Sequence, residues 1–325
     1  MRPFVYESAS NAQQAATRGG TDSAFIAGGT TIIDLMKLEV MKPSRLVDLN
    51  PLQMRGIEMG EDGLRIGALE KMSAVAVHPE VVANYPVISE ALLKSASAQI
   101  RNMASIGGNL LQRTRCGYFR DVTTPCNKRE PGSGCPAIDG ENRMNAILGT
   151  SSSCVATHPS DLAVALVALD ASMRLQNGAD ERLIKLDDFY LLPGDTPDHE
   201  NQLRPGELIT EVRVPRLPWA RRSTYLKIRD RESYEFALTS AAVALDVDGD
   251  KIRDIRIAVG GVGTKPWNLP KVREALAGKP LKQETFEAAA KLAVDGANPL
   301  RHNGFKVDLV QRTIVRALMN LGDLA

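Results

Sequence analysis

All four cysteines of the chain, Cys116, Cys126, Cys135 and Cys154, fall within one stretch of 39 residues, and the other positions of the 325-residue sequence hold none. A chain of this length buries enough core to need no disulfide staples. Four thiolates converging on one inorganic centre is the better physical reading, because Zn²⁺ and iron–sulfur clusters both accept four Cys ligands. The gaps of nine, eight and eighteen residues contain no CxxC knuckle, which counts against a zinc ribbon. A cluster therefore leads, with zinc, and disulfides or free thiols, as the open alternatives. The surrounding stretch 113–153 is rich in Arg, Pro, Gly and Ser and poor in aliphatic periodicity. It cannot build a core of its own, which suits a loop ordered by a metal.

The rest reads as an ordinary soluble globular protein in two parts, at ~150 residues per domain. Hydrophobic residues make up 43%, charged residues 24%, and the formal charge is +1. That balance excludes a disordered tail protein and an extended cationic nucleic-acid binder. No apolar run approaches the ~18 residues of a membrane-spanning helix, so no membrane insertion is expected. Glu7 stands where a signal peptide would carry its apolar stretch, so the chain is expected to have no export signal of its own.

Strands are expected at 3–7, 24–27, 45–49, 57–59, 64–67, 172–176, 182–186 and 208–214. Ser10 with Gln13 resembles a capping box opening a helix to about 17, and further helices are expected at 82–97 and 161–169. Pro215 to Arg222, with two prolines and three arginines, reads as an interdomain linker. Beyond it come strands at 223–229, 241–247 and 252–259, then helices at about 268–277, 283–294 and 306–321, an α+β layer arrangement.

Two glycine sites carry the binding chemistry. The strand at 24–27 runs into Gly28-Gly29-Thr30-Thr31, and Ile32 opens an apolar helical pattern. Glycines let a backbone approach an anion, while N–H groups and hydroxyls donate to it. The spacing matches neither GxGxxG nor a P-loop. A second site, Ser105-Ile106-Gly107-Gly108-Asn109-Leu110, follows about 75 residues later. Together they could grip one extended phosphate-containing ligand; unrelated tight turns are the plainer alternative.

These two runs, with His158-Pro159-Ser160-Asp161, resemble the FAD-binding medium subunits of the xanthine dehydrogenase family of molybdenum hydroxylases, across essentially the whole chain. Gly108-Asn109-Leu110-Leu111-Gln112-Arg113-Thr114-Arg115-Cys116-Gly117-Tyr118-Phe119 narrows the resemblance, as do Pro125-Cys126-Asn127-Lys128-Arg129 and Pro131-Gly132-Ser133-Gly134-Cys135. They are most similar to the [4Fe–4S]-containing FAD subunits of bacterial periplasmic aldehyde oxidoreductases. The implied fold is α+β: a two-part FAD-binding domain of the PCMH type over 1–215, with a [4Fe–4S]-binding insertion at 113–154. A C-terminal antiparallel sheet-and-helix domain over 222–325, like that of CO dehydrogenase flavoproteins, would follow.

The resemblance also implies site residues. Ile26, Ala27, Gly28, Gly29, Thr30, Thr31 and Ile32 would wrap the pyrophosphate of non-covalent FAD. Ser105, Gly107, Gly108 and Asn109 would hold the other side. Asp161, preceded by Ser160, would contact the adenosine portion, and Lys227 would lie near the isoalloxazine ring, with Leu208 or Ile209 packed on that ring. Cys116, Cys126, Cys135 and Cys154 would bind the cluster. Arg113, Arg115, Arg120, Lys128 and Arg129 would raise its potential by favouring the reduced state. Plainer roles compete: Asp161 as a helix start, Lys227 as a surface lysine, the basic run as a solvated or docking face. His158 reads as structural, and no catalytic acid or base emerges.

The implied activity is electron transfer within a heterotrimer. A large partner with a molybdenum cofactor would oxidise aldehydes to carboxylic acids, and a small partner's [2Fe–2S] centres would pass electrons to FAD and an external acceptor. The implied location is periplasmic, as a folded passenger of a signal-bearing partner, with the cytoplasm as the alternative. A zinc-stabilised binding module and a self-sufficient flavin oxidase are the competing classes.

Overall fold

The computed structural model describes residues 1–322; the last three residues of the expected 222–325 domain lie outside the described residues. Strands β1 (Val5–Ser8), β2 (Ser23–Ile26) and β3 (Arg45–Asp48) form a parallel sheet in the order β1-β3-β2. Helices α1 (Ala12–Arg18) and α2 (Ile32–Lys37) follow β1 and β2. The expected cap of α1 is displaced by one residue. Asn11 is the N-cap, its side chain accepting from Gln14 N, while Gln14 Oε1 accepts from Ser10 N at 2.7 Å. Asn caps as well as Ser, and this register satisfies two backbone donors.

The second sheet is antiparallel and contains β4 (Ile57–Gly60), β5 (Gly63–Gly67), β6 (Ser172–Asn177), β7 (Asp180–Lys185) and β8 (Leu208–Pro215), ordered β4-β5-β8-β6-β7. Between β5 and β6 run α3 (Met72–Val77), α4 (Pro79–Asn84), α5 (Pro86–Leu93), α6 (Ala98–Met103), α7 (Ile106–Leu110), α8 (Gly117–Arg120) and α9 (Asp161–Ala168), with α10 (Leu186–Phe189) after β7. The single helix expected at 82–97 is broken at Tyr85-Pro86. Proline lacks the N–H and drives its predecessor out of the helical region, and Tyr85 sits at φ −140°, ψ 61°.

The third sheet is antiparallel, with β9 (Ser223–Ile228), β10 (Thr239–Asp248), β11 (Lys251–Gly260) and β12 (Trp267–Asn268) in the order β12-β11-β10-β9. Helices α11 (Pro270–Leu276), α12 (Gln283–Ala290) and α13 (Phe305–Gly322) cover it. The helix expected to reach 294 ends at Ala290 and tightens into a 3₁₀ turn, Lys291–Val294. The expected linker is packed: Pro218–Arg221 form a 3₁₀ turn with Ala220 buried, and the Arg222 guanidinium donates to Leu321 O at 2.9 Å. No helix among the described residues is long and apolar enough to cross a membrane.

Every residue of α9 is buried. This helix lies against α5 on one side and β10 and β11 on the other. Its approach to β11 depends on Gly260, where a Cβ would sit 2.6 Å from Val164 Cγ2. The cysteine loop is also held by the third sheet. Ile147 N donates to Val262 O at 2.8 Å and His158 N to Gly263 O at 3.0 Å. From α13 the fully buried Lys306 extends Nζ to Asn145 O at 3.0 Å and Gly261 O at 2.7 Å.

Burial pulls the Lys306 pKa down from the ordinary lysine value to about 7. Between that pH and the unfolded value near 10.4, the unfolded chain binds a proton that the folded chain does not. The penalty is complete below the folded pKa and is relieved as pH rises. Denaturation midpoints should therefore increase from about pH 7 towards pH 10 through this group. The Lys306→Met variant should lose that part of the rise, measured by chemical denaturation across the same range.

Candidate functional site

The first glycine loop joins β2 to α2, and its conformation requires both glycines. A Cβ on Gly28 would overlap the Met103 carbonyl at the end of α6, and Gly29 has φ +74°. Among the described residues the N–H groups of Gly28, Gly29, Thr30 and Thr31 meet no acceptor in the chain. Thr31 precedes α2 without capping it, which leaves its hydroxyl free as well. The loop thus presents a row of unspent donors.

The second glycine site is built differently. Ser105 caps α7, its Oγ accepting from Gly108 N at 3.2 Å. Ile106 N donates to Glu70 O, Gly107 N to Ala68 O and Asn109 N to Ser105 O, all at 2.8–2.9 Å. These donors are spent inside the fold, which corrects the expectation that both sites offer N–H groups. Asn109 is buried, accepts from Ser160 Oγ at 2.6 Å and donates to Met72 Sδ at 3.4 Å. The second site is therefore a wall and a tie to α9.

Three adjoining cavities run between these segments. One of about 340 Å³ is walled by Ala27 to Ile32, Ser105, Gly107, Gly108, Leu208 and Ile209. The next, about 230 Å³, shares Thr30, Thr31 and Gly108 with it and adds Asn109, Asp161 and Lys227. A third, about 640 Å³, shares Arg115, Pro159, Asp161 and Phe236 with the second and adds Ser160, Tyr225 and Cys116. Ile26 lines none of the three; it ends β2 beneath Gly29.

Asp161 and Lys227 meet at the far end of this groove. Lys227 Nζ lies 2.8 Å from Asp161 Oδ2, with side chains 1% and 7% exposed. The same carboxylate accepts from Ser95 Oγ at 3.0 Å and from Tyr225 OH at 2.7 Å. Burial and the adjacent carboxylate hold the Tyr225 phenol protonated well above its usual range. One expectation is met and one changes. Asp161 starts α9, with Ser160 as the capping side chain, and its carboxylate also meets the lysine. Lys227 is buried, and it stands at the Asp161 end of the groove, away from Leu208 and Ile209. Lys227 and Asp161 therefore face the same part of the groove.

Tyr225 and Ser95 escaped the reading of the sequence as site residues, and Arg115 was expected beside the cysteines alone, not in the groove wall. Tyr225 was discoverable, because it lies two residues before Lys227 on β9 and so shares its face. Arg115 stacks over Phe236 with its guanidinium carbon 5.0 Å from the ring centroid, and it pairs with Asp34 at 3.1 Å. His158 is structural: it packs edge-on against Tyr190 at 4.5 Å, and burial pulls its pKa to about 3, so it is neutral.

The four cysteines line one small cavity with Tyr118, Phe119 and Asn145. All four are free; Cys126 and Cys154 are buried and Cys116 and Cys135 half-buried. Burial pushes the Cys154 thiol up to about 11 and raises that of Cys135. Among the described residues, no three His, Cys, Asp or Glu side chains are placed to share a single metal ion. The neighbouring cations are committed internally. Arg113 and Lys128 pair with Glu200 at 2.6 and 3.0 Å, Arg115 and Arg120 with Asp34, and Arg129 donates to the Tyr118, Phe119 and Thr124 carbonyls. Burial raises the Glu200 carboxyl, but Arg113 and Lys128 outweigh it and hold its pKa below the usual value. The solvated or docking basic face is not what forms.

Replacing Lys227 by Met should leave the Asp161 carboxylate buried without its counter-ion, at a cost of about 3–5 kcal/mol. The double variant with Asp161→Leu should recover much of that loss. Denaturation curves of both variants check this.

Residues 2–217 match the family described as the FAD binding domain in molybdopterin dehydrogenase, and residues 224–321 match the CO dehydrogenase flavoprotein C-terminal domain. The chain is 44% identical over 322 residues to the aldehyde oxidoreductase FAD-binding subunit PaoB of Escherichia coli strain K12, covering 98% of each. It is 26% identical over 299 residues to the glyceraldehyde dehydrogenase medium chain of Sulfolobus acidocaldarius, covering 91% of this chain and 89% of that one. Its fold superposes on a chain of reconstituted CO dehydrogenase from Oligotropha carboxidovorans with a TM-score of 0.78, at 23% identity and full coverage of both. The chain thus belongs to the FAD-binding subunits of the molybdopterin dehydrogenase family of oxidoreductases.

Proposed function

We propose that this chain is the FAD- and [4Fe–4S]-carrying electron-transfer subunit of a heterotrimeric molybdenum hydroxylase that oxidises aldehydes to carboxylic acids. Its partners are a large molybdenum-cofactor subunit, where the aldehyde reacts, and a small [2Fe–2S] subunit. The 44% identity to an aldehyde oxidoreductase subunit over 98% of both chains supports the substrate class. The observation that carries the reading is the juxtaposition of a donor-lined groove with four converging cysteines, Cys116 standing in the walls of both the groove and the thiol cavity.

The residues fit FAD. The unspent N–H groups of Gly28 to Thr31 and the two threonine hydroxyls suit a pyrophosphate, and Gly28 leaves no room for a side chain between that anion site and α6. Asp161, an acceptor held in place by Lys227, suits hydroxyl or amine groups of the nucleoside. Leu208 and Ile209 offer an apolar wall at the other end for a flat ring. Bound there, FAD supplies the ability to take electrons singly or in pairs, which joins one-electron centres to an external acceptor.

The cysteines fit a centre larger than one ion. Zinc would need its sulfurs about 2.3 Å from a common point, and among the described residues no three such ligands are placed to share one ion. Four thiolates around one cavity instead suit a [4Fe–4S] cube. The thiols of half-buried Cys135 and buried Cys154 would release their protons when metal binds.

The purified assembly should yield extractable FAD and about four irons assignable to this chain, with absorbance of both groups. Colourless protein with one zinc would sink the reading. Cys135→Ser should lose the cluster signal and keep FAD. Gly28→Ala should lower the FAD content at least several-fold while the irons remain, measured by acid extraction and metal analysis.

A further inference from the structure

We propose that Asn145 sets the reduction potential of the centre held by the four cysteines, through a hydrogen bond to the sulfur of Cys116 that the C-terminal domain holds in place. The proposal rests on reading those cysteines as one iron–sulfur site. Asn145 Nδ2 lies 3.6 Å from Cys116 Sγ and 3.3 Å from Val155 O. The residue is 6% exposed, so water has little access to that donor.

The position of Asn145 is fixed from the other domain. Its carbonyl accepts from Lys306 Nζ at 3.0 Å and from Asn303 Nδ2 at 3.3 Å. Asn303 Nδ2 also reaches Ala146 O at 3.2 Å, and Asn142 Oδ1 accepts from His302 N at 2.9 Å. Asn142, Asn303 and Lys306 are all fully buried. Segment 142–146 is therefore fastened to the start of α13, and the amide dipole of Asn145 is aimed at the sulfur before any electron arrives. The other donors to cysteine sulfurs among the described residues come from the backbone: Ala156 N to Cys154 Sγ at 3.5 Å, and the N–H groups of Val155 and Ala137 at Cys135. Asn145 is the side-chain donor beside them.

When one electron passes from a reduced [2Fe–2S] centre of the small partner, that centre is oxidised and the charge here becomes more negative by one. An N–H aimed at a ligand sulfur stabilises the more negative state and raises the potential. Asn145→Leu removes the donor at similar volume; Asn145→Asp removes it and adds a negative charge.

The test is a redox titration of the purified holoenzyme, reading the reduced cluster by electron paramagnetic resonance beside iron and FAD contents. Both variants should keep their irons and FAD. At the wild-type midpoint, Asn145→Leu should show a reduced-to-oxidised ratio lower by about tenfold, 59 mV for one electron, and Asn145→Asp a lower one still. Full iron with an unchanged potential in both variants overturns this inference and leaves the cluster reading standing. Loss of iron in both variants makes Asn145 a structural residue and also overturns it. Wild-type protein without a cluster signal overturns both together.

Discussion

The groove depends on one buried ion pair. Asp161 comes from the first turn of α9 and Lys227 from β9, so their 2.8 Å contact ties the N-terminal helix layer to the third sheet. A buried pair of this kind adds little net stability, because desolvation consumes most of the Coulomb gain. Its value lies in fixing geometry. Tyr225 and Ser95 complete the shell around the carboxylate, and Tyr225 OH also meets Ser240 Oγ at 2.8 Å. A ligand reaching this end of the groove meets an acceptor whose orientation is already set by α9, the turn after α5, and β9.

The same logic recurs around the cysteine loop, which has almost no core of its own. Asp34 from α2 takes Arg115 and Arg120, Glu200 takes Arg113 and Lys128, and Lys306 holds the loop backbone from α13. Three elements distant in sequence each contribute a polar anchor. The loop is thereby ordered from outside. A carboxylate at Asp34 stands in the first turn of α2, immediately after the donor-lined loop, so one helix start serves both sites.

What was legible in the sequence was local. The strand and helix around Gly28-Gly29, the helix opening at Asp161 and the hairpin strands around Asp248 to Asp250 follow from turn residues and periodicity, and the structure has them. The break at Pro86 was equally local and should have been read from proline chemistry. What could not be read depends on partners far along the chain. The two glycine sites look alike, yet Ala68 O and Glu70 O consume the donors of one of them. Lys227 looks like any basic strand residue until β9 passes beside α9. Five clustered cations suggest a field, but Asp34 and Glu200, neither of them near in sequence, quench four of them.

The placement of the cysteine loop follows from these contacts. Asn109 is tied to Ser160, and five residues after Asn109 Thr114 donates to Thr157 O at 2.9 Å. The strand of chain from α7 to Cys116 is thus pinned at both ends to the approach to α9. Cys116 has no freedom to move independently of the groove wall that Asp161 anchors. On the other side, Leu148 bridges Gly263 and Asn303 grips Asn145 and Ala146. The thiol cavity sits where both domains meet, so a shift of one domain against the other must change the sulfur environment and the groove together. A subunit built this way keeps its groove and its thiol cavity at a set separation only while that domain contact holds. That requirement accounts for spending a buried lysine, three buried asparagines and a buried ion pair on the same seam.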